Sequence, residues 1–203
     1  LVREGFAPAH RQRSHWGHPA SVPLEFSHTP ENRDYVARLR GRFDDYPLVL
    51  EVRYASWNEP GVLDLLEQMG IGLCNIDQPL FKRSIAPGAA STSPIGYIRL
   101  HGSNYRAWFT ENKYQGERYD YPYGVNELEP WLDRIKAAAH ATQDTYVVTN
   151  NHYLGKGIVN ASEIASLLKI GPVSAPQTLI DHYPRLREFT IGGNAYELPL
   201  FRQ

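Results

Sequence analysis

An α/β fold built on parallel strands is what this sequence predicts, and three observations predict it. Short segments alternating apolar and polar side chains recur along the chain, and alternation of that period belongs to strands. Segments of helical period lie between them, and strands alternating with helices imply a parallel sheet joined by right-handed crossovers. The strand-like segments also become polar at their C-terminal ends, where α/β sheets and (β/α) barrels carry their chemistry.

The 203 residues suffice for one core, and 42% of them are hydrophobic, so the expectation is a single globular domain over 1–203. Residues 1–28 carry four His, three Arg and scattered Pro with no steady period, and read as an irregular N-terminal segment. Val22–Phe26 within it reads as a short strand. Thr29-Pro30-Glu31 is a helix start, with a capping hydroxyl, a proline at the first helical position and an acid in the first turn. That helix extends to about Phe43. Leu48–Arg53 is a strand with Leu48, Leu50 and Val52 on one face and Glu51 and Arg53 on the other. Asn58 then caps a helix whose stripe is Val62, Leu63, Leu65, Leu66 and Met69, ended by Gly70.

The next strand, Ile71–Asp77, sets Cys74 and Ile76 against Asn75 and Asp77. A Pro/Ser/Ala/Gly-rich loop over 78–95 precedes strand Ile95–His101, where Ile98 and Leu100 oppose Tyr97, Arg99 and His101. A second long loop, 102–125, contains Trp108, Phe109, Tyr114, Tyr119, Tyr121 and Tyr123. Asn126 and Glu129 resemble a capping box opening a helix over 127–140. Strand Thr145–Asn150 leads through Asn151-His152-Tyr153 into a helix over about 158–169, ended near Gly171. The tail reads as irregular packing with one short helix. A closed eight-stranded barrel takes about 250 residues, and about 200 at the least. The long loops leave too little chain for eight units. The expectation is therefore a TIM-barrel-like (β/α) architecture that is incomplete or N-terminally truncated.

The formal net charge of −1 argues against a general polyanion binder. Charge is uneven, since residues 1–42 hold seven Arg and four acids, and this segment reads as a solvated surface. The single cysteine, Cys74, permits no intrachain disulfide, which fits a reducing cytoplasm. No run approaches the ~20 apolar residues of a membrane span.

Glu51, Asp77, His101 and His152 are the candidates for proton transfer. A buried carboxylate beside a histidine suits general base work. The same residues from different strands would suit a divalent metal, although no tight ligand motif is present. Arg53 and Arg99 are fixed cations able to hold a carboxylate or phosphate bidentately, or to pair with Glu51 and Asp77 in an internal charge network. Asn75, Asn104, Asn150 and Asn151 suit recognition of a polar ligand, or serve as loop and capping residues. Trp57, Trp108, Tyr119 and Tyr121 follow strand ends and suit stacking on a sugar or base, or core packing.

Several phrases occur in an order that resembles one family. They are Thr29-Pro-Glu-Asn-Arg33, Tyr46-Pro-Leu-Val-Leu-Glu-Val-Arg53 with Ser56-Trp57, Gly72-Leu-Cys-Asn-Ile-Asp-Gln-Pro79, Ser93-Pro-Ile-Gly-Tyr-Ile-Arg-Leu-His-Gly-Ser-Asn-Tyr105, Tyr119-Asp-Tyr121, Glu127-Leu-Glu-Pro-Trp131 and Thr149-Asn-Asn-His-Tyr153. Over about residues 29–170 the chain resembles the YecE-like family, also called the domain of unknown function 72. The resemblance implies a TIM-type barrel and a site location, and it implies no reaction. Three functional readings stand at this point. One is an enzyme acting on a small polar or anionic molecule such as a sugar phosphate, by hydrolase- or isomerase-type acid/base chemistry. The second is a nucleic-acid processing or binding protein, and the third a non-catalytic scaffold.

Overall fold

The computed structural model describes residues 18–191 apart from 24, 109–118 and 172. Five strands form one sheet in the order β1-β2-β3-β4-β5, every neighbour parallel. They are β1 (His18–Ser21), β2 (Leu48–Glu51), β3 (Ile71–Asp77), β4 (Ile95–Leu100) and β5 (Asp144–Thr149). The helices are α1 (Pro30–Arg42), α2 (Pro60–Gln68), the single turn α3 (Tyr105–Trp108), α4 (Val125–Ala141), α5 (Lys156–Leu167) and α6 (Gln177–His182). Among the described residues the sheet is open, with β1 and β5 as its edges.

The elements follow from local chemistry. Thr29 caps α1 by accepting from the Asn32 amide at 3.3 Å, and Pro30 supplies a pre-set φ where no donor is needed. Gly70, at φ 64°, turns the chain out of α2 into β3, a conformation costly for side chains with a Cβ.

Three expectations shift. The early strand is His18–Ser21, paired with Leu48–Glu51, and Val22–Phe26 lies beyond it. Glu59, not Asn58, is the N-cap residue of α2, because Ala55–Asn58 forms a separate 3-10 turn. The cap of α4 is Gly124, whose amide donates to Glu127 Oε2 at 2.8 Å, so the Asn126–Glu129 box does not form. Among the described residues the tail holds two helical segments, α6 and a 3-10 turn over Pro184–Glu188.

Register fixes which side chains share a face. Leu50 pairs with Leu73, Cys74 with Tyr97, and Ile76 with Arg99, which in turn pairs with Val148. Leu50, Leu73, Ile98 and Leu100 therefore face the helices. Ile98 and Leu100 pack there with Leu128, Trp131 and Ile135 of α4, all buried. Leu50 and Leu73 pack with Val36 of α1 and Leu66 of α2. Each such side chain contributes about 1.5–3 kcal/mol by leaving water. The opposite face carries Glu51, Cys74, Ile76, Tyr97 and Arg99. Helices thus cover one face with hydrocarbon, and the other bears the charges.

Candidate functional site

Glu51 is the centre of the polar face. Its side chain is 0% exposed, and an ionised carboxylate in such a place must be paired. Arg53 Nη2 donates to Oε1 at 3.0 Å, and Arg99 Nη1 donates to Oε2. His101 Nε2 lies 3.2 Å from Oε1. Arg53 also donates from Nη1 to Gln78 Oε1 at 3.0 Å, while Gln78 Nε2 donates back to the Arg53 carbonyl at 3.2 Å. Arg99 Nη2 donates to Asn150 Oδ1 at 2.9 Å, and Asn150 Nδ2 lies 3.1 Å from His101 Nδ1.

These partners assign the imidazole. Arg99 can only donate, so it meets the carbonyl oxygen of the Asn150 amide. The Asn150 NH2 group must then donate to His101 Nδ1, which leaves the ring proton on Nε2, directed at Glu51 Oε1, with Arg53 Nη2 a second neighbour of that nitrogen at 3.3 Å. The polar groups form one closed circuit from Arg99 through Asn150 and His101 to Glu51 and back to Arg99.

The electrostatics follow. Burial alone would raise the Glu51 carboxyl, but the His101 hydrogen bond and the charges of His101, Arg99 and Arg53 outweigh it and hold the group at about 2. Burial lowers the His101 pKa, and the two arginines lower it further against the pull of Glu51. At neutral pH the ring is therefore uncharged, and its hydrogen bond together with the two guanidinium charges keeps Glu51 ionised. Among the described residues, Glu51 is the carboxylate that meets both guanidinium groups. Arg53 and Arg99 reach solvent, at 12% and 19% exposure, whereas His101 is 1% exposed.

Other expected site residues lie elsewhere. Asp77 sits one residue out of phase with Ile76 and so faces the helices, where its carboxylate accepts from the Tyr123 hydroxyl. It offsets neither arginine. Burial raises its pKa, against the Tyr123 hydrogen bond. Asn75 is also helix-facing and pins the loop after β3 through Ala90, with bonds of 2.9 Å from Nδ2 to the carbonyl and to Oδ1 from the amide. Asn104 caps α3 and holds the Asp120 carbonyl. Asn151 is fully buried and donates to the Tyr121 carbonyl and to Asn160. Trp57 is core, stacked on Phe26 at 5.5 Å with its indole donating to the Phe26 carbonyl. Tyr121 packs against Gly102 and hydrogen-bonds Glu127. His152 is exposed, and its ring lies 5.1 Å from that of Tyr119 at a 32° tilt, with Tyr119 in turn 6.3 Å from the His101 ring. Phe109 and Tyr114 fall outside the described residues, as does the side chain of Trp108.

With Asp77 on the far face and His152 at the rim, Glu51 and His101 are the candidates that meet at the centre. Among the described residues no group of three or more His, Cys, Asp and Glu side chains is placed to hold a metal ion. A cavity of about 430 Å³ between Thr92–Pro94 and His140–Gln143 lies at the opposite, N-terminal ends of the strands, away from this chemistry. None of the described helices is long and apolar enough to cross a membrane.

The family model for the protein of unknown function DUF72 matches residues 20–181, a span holding every group of this circuit. The chain belongs to the DUF72 family. A DUF72 family protein from Thermotoga maritima has a solved structure similar to it, with 29% identity and a TM-score of 0.69. That match covers 74% of this chain and 56% of the other. A DUF72 family protein from Enterococcus faecalis, at 22% identity, superposes with a TM-score of 0.70 over 78% of this chain and 60% of the other. The chain thus spans less than two thirds of these relatives' length. No curated protein matches it.

Sequence reasoning missed Gln78, which is buried and braces Arg53. The signal was present, because Gln78 continues the parity of Cys74 and Ile76 one step past the strand. Tyr123 also escaped notice, since a tyrosine in a loop gives no sign that its hydroxyl will bridge Asp77 and the Gly102 amide.

Proposed function

We propose that this DUF72 protein recognises a small anionic molecule, of the kind a sugar phosphate presents, and acts on it at the C-terminal ends of its strands. The observation that carries the reading is the rigid, solvent-facing placement of Arg53 and Arg99. Two arginines rooted in or beside strands reach solvent around a single buried carboxylate. A guanidinium held from behind by Glu51, Asn150 and Gln78 is pre-oriented, so little conformational freedom is lost when a ligand arrives. In the free protein the same cluster is not poised as a general base. Glu51 at about 2 holds a proton too weakly, and His101 Nδ1 is engaged by Asn150. Recognition is therefore the role we assign to the arginines.

We also read the five sequential parallel strands as part of a (β/α) barrel. Support comes from the charged inner face, the helices on the outer face and the likeness to longer DUF72 proteins. The test of the anion reading is calorimetric titration with phosphate. Wild type should bind at millimolar concentration, and Arg99→Ala should lose most of that binding with its circular dichroism unchanged. Equal heats in both proteins, or none in either, would sink the reading.

A further inference from the structure

Two histidines meet one asparagine at the ends of β4 and β5, and they hold their protons on opposite nitrogens. The Asn150 backbone N–H donates to the Leu100 carbonyl at 2.7 Å, which continues the β4–β5 pairing past the strands. From that fixed residue the side chain meets Arg99 and His101, while the backbone carbonyl lies 3.0 Å from His152 Nδ1. A carbonyl oxygen only accepts, so His152 Nδ1 carries the ring proton. In the neutral ring Nε2 is then a bare acceptor. His101 is the reverse case. Its Nδ1 accepts from the Asn150 NH2, and its Nε2 lies 3.2 Å from Glu51 Oε1 and 3.3 Å from Arg53 Nη2. His101 is buried and both its nitrogens are occupied by the circuit. His152 is exposed, and among the described residues no side chain or backbone group bonds its Nε2.

We propose that His152 Nε2 accepts a hydrogen bond from a hydroxyl of the ligand whose anionic group Arg53 and Arg99 hold, so that the site takes a hydroxylated phosphate ester. This rests on the anion reading above and adds a specificity-determining residue to it. Arg99 and His152 are tethered to the same residue, the first through Asn150 Oδ1 at 2.9 Å and the second through the Asn150 carbonyl. A cation and a neutral acceptor thus stand side by side at the strand ends. A molecule that satisfies both joins an anionic group to a hydrogen-bond donor. A fully ionised phosphate ester has no proton of its own to give, so the donor has to come from the rest of the ligand.

The surroundings hold the ring for this role. The Tyr119 ring flanks His152 and bridges it to His101. The chain beside Tyr119 is fixed in turn, because the Asp120 carboxylate pairs with Lys156 of α5 and the Asp120 carbonyl accepts from Asn104 Nδ2 at 3.2 Å. Position and tautomer of His152 are therefore set before a ligand arrives, and little freedom is lost when a matching donor meets Nε2. One neutral hydrogen bond of this kind changes affinity by about two- to tenfold.

The probes are propyl phosphate and glycerol 3-phosphate, which share a three-carbon ester chain and differ in their hydroxyls. Both are titrated by calorimetry into wild type and His152→Phe at about pH 8, where phosphate esters are dianions. His152→Phe keeps a flat ring at an exposed position and removes both nitrogens. Wild type should bind glycerol 3-phosphate about two- to tenfold more tightly than propyl phosphate. His152→Phe should bind the two esters equally and propyl phosphate as wild type does. Long-range proton–nitrogen NMR of wild type should show the His152 ring proton on Nδ1, and the Nε2 resonance should move further with glycerol 3-phosphate than with propyl phosphate. Equal affinities of the two esters in wild type, a preference that survives in His152→Phe, or a ring proton on Nε2 would each overturn the proposal and leave the anion site standing. No binding of either ester or of phosphate would overturn both.

Discussion

Replacing Glu51 with Gln keeps the shape of the side chain and removes its charge. Two guanidinium groups then share one buried enclosure with no carboxylate between them. The cost can be worked in two ways. A carboxyl held at about 2 rather than 4.5 is stabilised in its ionised form by about 3 kcal/mol, at about 1.4 kcal/mol per pH unit. Removing one partner of a buried ion pair costs about 3–5 kcal/mol in general, and here the partial exposure of both arginines places the loss toward the lower end. The expected loss on Glu51→Gln is thus about 3 kcal/mol at pH 7, read by urea denaturation. The pH dependence has a definite sign. A carboxyl whose pKa is lowered by folding stabilises the fold fully above about 4.5, and that contribution is lost as pH falls toward about 2. Wild-type stability should fall across that window, and Glu51→Gln should lack this component. Millimolar phosphate should recover more stability in the variant than in wild type, by standing in for the missing charge. A loss below about 1 kcal/mol, or an identical acid limb in both proteins, would refute the reasoning.

Other predictions follow from features away from the carboxylate. Gly102 sits at φ 88°, and a Cβ there would lie 2.5 Å from Tyr121 Cβ. Gly102→Ala should lower stability by about 2–4 kcal/mol in urea denaturation, from left-handed strain together with overpacking, and should shift the His101 NMR signals. Glu163 is fully buried and meets Arg185 Nε at 2.8 Å. Arg185→Met should cost about 2 kcal/mol, below the fully buried range because the arginine is 40% exposed. Burial raises the Glu163 pKa against Asn160 and Arg185, so its contribution weakens as pH rises. The variant's deficit should accordingly be larger at pH 8 than at pH 5 in parallel urea melts. Thr29→Ala should cost about 1 kcal/mol by the same assay, through loss of the α1 cap.

Alternation made much of this architecture legible. Ile71–Asp77 and the body of β4 could be delimited because a parallel strand writes its two faces into alternate residues, and Thr29-Pro30 marked α1 through its own chemistry. The failures lie where a tertiary contact overrides a local signal. Asn58 has good capping chemistry, yet it is consumed by the 3-10 turn that seats Trp57 in the core. Asp77 ends its strand in polar company as Glu51 does, and end-polarity alone does not say which face it takes. Its phase relative to Ile76 does. His152 shares the parity of Asn150 but lies past the strand, where alternation no longer applies, and it stands exposed at the rim. The hydrogen-bond circuit itself was beyond reach, because it joins residues up to 51 positions apart through amide orientations that no local pattern encodes.

The sequential strand order also dictates when the charges meet. Every strand pairs with its neighbours in the chain, so the sheet can add strands one after another as synthesis proceeds, without prising older ones apart. Glu51 is synthesised 48 residues before Arg99, with His101 two positions later still, and Asn150 comes 51 residues after Arg99. Until β4 docks, the carboxylate leans on Arg53 and the Ser21 hydroxyl and gains by keeping its water. Dehydrating that face becomes favourable when Arg99 and His101 arrive. These residues thereby act as a checkpoint in assembly, and a β1–β2–β3 intermediate stays wet on its polar side.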